Sequence, residues 1–174
     1  HGGHAIKSFE ESIQILRSLP HGHVAAVLGT LIKTGLDRVV SSEKSRELSL
    51  ILAVIIARII EPQSKLATAR GLDPVTASSS LGAVLGLGRV TENDLYLAMD
   101  WLSGEQERIE NALAAKHLRG GSLLLYDITS TYFEGRCCPL AQRGYSRDGK
   151  PDKLQIVIGL LCAPDGCPVA VEVF

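Results

Sequence analysis

A chain of 174 residues with 45% hydrophobic and 21% charged residues can bury a core, and is too balanced to be disordered or fibrous. Its formal net charge of -1 excludes a wholly basic nucleic-acid binder but leaves room for a local basic groove. The longest apolar stretch, residues 48–60, contains Ser49 and Arg58 and falls short of the roughly 20 residues a membrane span needs, so no membrane partner is expected.

The chain opens with His1-Gly-Gly-His4 and shows no charged-then-apolar leader, which leads us to expect a cytoplasmic protein incomplete at its N-terminus. The first two-thirds read as helices. Ile6, Phe9, Ile13, Leu16 and Leu19 recur at spacings of three and four, and Pro20 with Gly22 closes that segment. Residues 24–36 repeat the pattern, with Ala25, Ala26 and Gly29 allowing close packing against an antiparallel neighbour. Ser41 or Ser42 is expected to cap a third helix that runs from Glu43 to Ile60 and must end near Pro62. Apolar almost all round from Leu48, it should be central. A shorter helix over 63–69 leads to a Ser-rich loop at 78–80. Thr91 is then expected to cap a helix with an acidic first turn and a buried stripe of Leu95, Met99 and Leu102, kinked or broken at Ser103-Gly104 before Ile109, Leu113 and Leu118.

At Gly120-Gly121 the period changes. Three short apolar runs rich in β-branched residues, 122–127, 153–162 and 169–174, read as strands. Ala163-Pro-Asp-Gly166 joins the last two as a hairpin, Pro pre-setting φ and Gly taking a positive φ. Strand residues run to Phe174 without a closing element, so the sheet is expected to stop mid-domain. The division expected is a helical region over 1–118 and the start of a second domain over 119–174.

Few residues stand out chemically. Neither Cys137-Cys138 nor Cys162 with Cys167 has C-x-x-C spacing, so reduced structural thiols are expected, and the His1/His4 and His21/His23 pairs lack further ligands. Asp127, in Leu123-Leu-Leu-Tyr-Asp-Ile-Thr-Ser-Thr131, has two readings. At the end of a strand it is a fixed carboxylate suited to metal chemistry on a phosphodiester, or else it forms a strand-ending turn with Thr129 and Ser130. The stretch after it carries Arg136, Arg143, Arg147, Lys150 and Lys153 against Glu134, Asp148 and Asp152, with Tyr132, Phe133 and Tyr145 interleaved. Such a stretch either binds DNA, cations neutralising phosphates and rings stacking on bases, or is a solvated surface loop.

Tyr126-Asp-Ile-Thr-Ser-Thr131, Phe133-Glu-Gly135, Arg143-Gly-Tyr-Ser-Arg-Asp-Gly149, Gln155-Ile-Val-Ile-Gly-Leu-Leu161 and Pro168-Val-Ala-Val-Glu-Val-Phe174, in this order, resemble the DDE transposases of bacterial insertion sequences. The resemblance extends back through Gly22-His-Val-Ala-Ala-Val-Leu-Gly29, Ala57-Arg-Ile-Ile-Glu-Pro62, Ser64-Lys-Leu-Ala-Thr-Ala69 and Asp94-Leu-Tyr-Leu-Ala-Met-Asp-Trp-Leu102. It implies an α+β chain, helices followed by the first three antiparallel strands of a ribonuclease-H-like mixed sheet. It also implies that Asp127 is the first acidic residue of a catalytic triad holding two Mg²⁺ ions roughly 4 Å apart on a DNA phosphodiester, in a dimer that synapses two insertion-sequence ends.

The second Asp and the Glu of that triad belong to motifs the sequence does not contain, and Asp148, Asp152, Asp165 and Glu172 match neither. These residues alone are therefore expected to be inactive. The alternatives are a non-catalytic DNA-binding remnant and an unrelated metal-dependent phosphohydrolase with Asp127 as nucleophile. The latter is disfavoured because Thr129 stands where a D-x-D motif needs Asp.

Overall fold

A computed structural model describes residues 15, 17–118, 120, 124–144, 149 and 152–174. Of the expected helix over 6–19, residues 15 and 17–19 are described and are not helical, and the rest lies outside the described residues. The chain divides into two compact units, 1–102 and 103–174.

The first unit is helical: α1 (Gly22–Thr34), α2 (Leu36–Val40), α3 (Arg46–Ile60), α4 (Lys65–Leu72), α5 (Leu81–Val84) and α6 (Glu92–Gly104), whose last turn enters the second unit. α1 stops at Gly35, whose φ of 76° lets its N–H return to the carbonyls of Leu31 and Ile32. The cap of α3 is Ser45, its Oγ accepting from the Leu48 amide at 3.0 Å. Ser41, one of the two expected caps, instead closes a local turn, its hydroxyl accepting from the Glu43 amide at 3.2 Å. At the other end Pro62 forces Glu61 out of helical geometry, and α3 ends at Ile60. As expected α3 is central: Leu48, Leu50, Ile51, Leu52, Ala53 and Ile56 are all buried, packed with Val24, Leu31, Leu72, Leu81 and Leu95.

Asp94 Oδ2 accepts from both the amide and the hydroxyl of Thr91 at 2.8 Å, while the Asp94 amide donates back to Thr91 Oγ1 at 3.2 Å. This reciprocal capping box fixes the start of α6. Leu95 is buried as expected, but Ala98 rather than Met99 continues the stripe, because Met99 lies on the exposed side of the turn. The segment before α1 is tied down in turn. The Arg17 guanidinium donates to the carbonyls of Pro74, Val75 and Ala77, and His21 Nδ1 lies 2.8 Å from Ser80 Oγ.

The second unit contains α7 (Gln106–His117), β1 (Leu125–Phe133), β2 (Gln142–Arg143), β3 (Leu154–Cys162) and β4 (Pro168–Val173). All pairings are antiparallel and β3 is central. β1 runs along one of its edges from Leu125↔Cys162 to Phe133↔Leu154, and β2 and β4 share the other. The sheet thus has four strands among the described residues where three were expected, the additional one being the two-residue β2.

The expected hairpin is present. Gly166 has a φ of 82°, its amide donates to the Ala163 carbonyl at 2.8 Å, and Asp165 Oδ1 accepts from the Cys167 amide at 3.0 Å. α7 closes the outer edge of β4. Val171 N–H donates to Glu110 Oε1 at 3.0 Å, and Gln106 Nε2 donates to the Val171 carbonyl at 2.9 Å, so two side chains one helical turn apart stand in for the next strand's peptide group. Gln106 also donates to Glu110 at 2.9 Å, which holds the pair in place.

Candidate metal and nucleic-acid site

Asp127 is not at the end of a strand. It is the third residue of β1, opposite Leu160, and strand pairing continues through Thr129↔Ile158 and Thr131↔Ile156. The strand-ending turn with Thr129 and Ser130 is therefore overturned, since extended pairing consumes the backbone geometry such a turn requires. Nor is the strand buried, with seven of its nine residues exposed. The β-branched, aromatic and hydroxyl residues from Ile128 to Phe133 favour a pleated surface and carry the strand six residues past the carboxylate.

Side chains alternate faces along a strand, so Asp127 shares one face with Leu125, Thr129 and Thr131 and, across the register, with Ile158, Leu160 and Val171. The carboxylate's neighbours there are aliphatic and hydroxyl groups, and Phe133 and Arg143, both in register with Leu154, lie towards the far end of the same face. Glu172, opposite Gly159, falls on the other face and cannot join Asp127 at one ion. That face carries a separate cavity of about 390 Å³ bounded by Tyr126, Gly159, Ala170, Glu172, Gln106 and Glu110. Asp165 is engaged elsewhere. The Cys167 amide and then His117, whose Nδ1 lies 3.4 Å away, hold its carboxyl below the ordinary value of 3.8.

Magnesium takes oxygen ligands in near-octahedral geometry, usually more than one carboxylate with water and phosphate. Among the described residues no three His, Cys, Asp or Glu side chains converge. The donors present do not compose a Mg²⁺ site; Asp127 is one oxygen donor held on a rigid strand.

Of the expected DNA contacts, Arg136, Arg143 and Lys153 are described and exposed, and Tyr145, Arg147 and Lys150 lie outside the described residues. Arg143 sits in β2 opposite Leu154, positioned by buried Gln155, whose Nε2 donates to the Gly144 carbonyl at 3.2 Å. Lys153 Nζ lies 3.5 Å from Glu134 Oε1 with both side chains at least half exposed, a loose pair that a stronger anion can displace. A β-carbon at Gly135, in the quoted Phe133-Glu-Gly stretch, would meet the tip of the Phe133 ring, which would have to turn aside. No site residue was singled out in the helical unit, yet Arg58 and Lys65 line one cavity there. The available signal was two cations flanking a helix-ending Pro62 and a helix-capping Ser64.

No family model, curated protein or solved structure matches the chain. Among the described residues no helix is long and apolar enough to cross a membrane.

Proposed function

We propose that this chain is part of a DDE transposase that cuts and joins DNA at insertion-sequence ends, its helices engaging DNA or a second copy and its sheet opening a ribonuclease-H-like core in the cytoplasm. The observation that carries this reading is Asp127, an exposed carboxylate held within a strand among aliphatic and hydroxyl neighbours, with no basic partner among the described residues. A structural Asp in a strand is disfavoured by propensity and needs a partner to offset it. In this reading Asp127 is one ligand of a Mg²⁺ pair whose remaining carboxylates come from outside the described residues. Arg136, Arg143, Tyr145, Arg147, Lys150 and Lys153 follow the DNA backbone.

The second reading is a non-catalytic DNA-binding protein, favoured by the register, which brings no second carboxylate to the face of Asp127 among the paired strand residues. A gel-shift titration with inverted-repeat DNA at several salt concentrations, run with a Mg²⁺ nicking assay, tests both. Both readings expect binding that weakens steeply with salt and is unchanged in Asp127→Ala. Absence of binding at low salt defeats both, and Mg²⁺-dependent nicking that Asp127→Ala abolishes removes the second.

A further inference from the structure

α3 ends at Ile60 because Pro62 follows, and α4 begins at Lys65 because Ser64 caps it, its Oγ accepting from the Ala67 amide at 3.2 Å. This short link brings Arg58, in the last turn of α3, and Lys65, the first residue of α4, to one open cavity of about 360 Å³, with Gln63, Thr68 and Val54 completing its lining. The size falls at the lower end of small-ligand pockets, about 300 to 1,000 Å³. Lys65 is half-buried, and neither cation has a carboxylate within 4.0 Å among the described residues. The Gln63 amide and the Thr68 hydroxyl likewise make no side-chain hydrogen bond there.

Two like charges lining one cavity, Arg58 exposed and Lys65 half-buried, repel each other, and an anion bound between them reverses the sign of the interaction. Guanidinium offers a planar fork of donors, ammonium a compact point charge, and an amide and a hydroxyl add neutral donors, a set that matches the several oxygens of a phosphate better than the two of a carboxylate. The first amides of α4 add partial positive charge at the same end. The nearest acid in sequence, Glu61, borders the adjoining cavity with Gln63 and Thr68 and opposes an anion without neutralising the pair.

We infer that this cavity binds a phosphate group, with Arg58 and Lys65 supplying the charge and Gln63 and Thr68 the neutral hydrogen bonds. A phosphate of a DNA backbone is the source that accords with the transposase reading and rests on it; the phosphate site itself does not.

The test is an NMR titration of the whole chain with inorganic phosphate at fixed low ionic strength, beside a fluorescence-anisotropy titration with duplex DNA, melting curves verifying that each variant folds. Phosphate is expected to shift the amides of residues 58, 63, 65 and 68. Lys65→Gln and Arg58→Gln should each weaken its binding about tenfold, and Glu61→Gln should strengthen it. A parallel loss of DNA affinity in Lys65→Gln assigns the phosphate to the duplex. Loss for inorganic phosphate with unchanged DNA affinity upholds the site and removes the DNA source. Shifts confined to other residues, or phosphate affinity unchanged in both charge variants, overturn the proposal, whether or not the chain binds DNA.

Discussion

The Tyr126 phenol lies over Gly159, diagonally across β1 and β3, where a β-carbon on residue 159 would collide with the phenolic oxygen. The ring covers backbone that glycine leaves bare, which is how an aromatic offsets glycine's weak strand propensity. Because Tyr126 is exposed and its phenolic end can swing aside, Gly159→Ala is expected to cost no more than about 1 kcal/mol, the loss of ring cover outweighing the gain over glycine's weak strand propensity. In the Tyr126→Ala background the same change should cost much less, and thermal melts of the double-mutant cycle measure the coupling. Additive effects would show that the contact is not the reason for glycine.

Glu110→Ala leaves the Val171 amide without its acceptor at an exposed edge, where water replaces it in part. The expected cost is about 0.5 to 1.5 kcal/mol, with faster hydrogen exchange at Val171. Glu110→Gln keeps an acceptor oxygen and should restore most of the protection. Equal exchange in all three proteins would remove the edge-closing role from α7.

The Thr91 amide, then the Thr91 hydroxyl, and lastly Arg46 hold the Asp94 carboxyl below its ordinary value of 3.8. A carboxylate whose pKa is lower in the folded than in the unfolded chain binds its proton less readily when folded. Its contribution is therefore fully present above the unfolded value and fades as pH falls from there through the folded one. Acid melts of wild type should lose stability in that window relative to Asp94→Asn, which has no carboxylate to protonate. At neutral pH, Thr91→Ala should cost about 1 kcal/mol through loss of the cap. A pH profile identical in Asp94→Asn would contradict the assignment.

Asp127→Asn should leave stability within about 0.5 kcal/mol of wild type, because the carboxylate is exposed and has no partner among the described residues. If a complete transposase containing this sequence cuts insertion-sequence DNA, the same change should abolish cutting while DNA affinity persists. A variant that unfolds would return Asp127 to a structural role.

What the sequence disclosed followed from local physics. Gly166 and Pro164 specify a turn whatever surrounds them, Pro62 stops α3, and the Thr91/Asp94 box marks the start of α6 within the span of one motif. Element ends decided by competition were less legible. Three serines, Ser41, Ser42 and Ser45, each have capping chemistry, and only the packing of Leu48 and Ile51 selects the last. The reach of β1 past Asp127 was hidden because Thr129, Ser130 and Thr131 serve turns and strands equally well, and the long pairing with β3 decided between them. The Arg58 and Lys65 cavity was hidden for a different reason: its lining depends on the angle at which two helices meet, which no spacing encodes.

The side-chain clasp on Val171 also makes the sheet directional. The margin at β4 is capped at Val171 by an amide and a carboxylate, whereas among the described residues no strand pairs with the outer edge of β1. A strand added at β1, from whichever molecule supplies it, would place alternate side chains beside Asp127. Widening the sheet and surrounding that carboxylate with new oxygen donors would then be a single docking step.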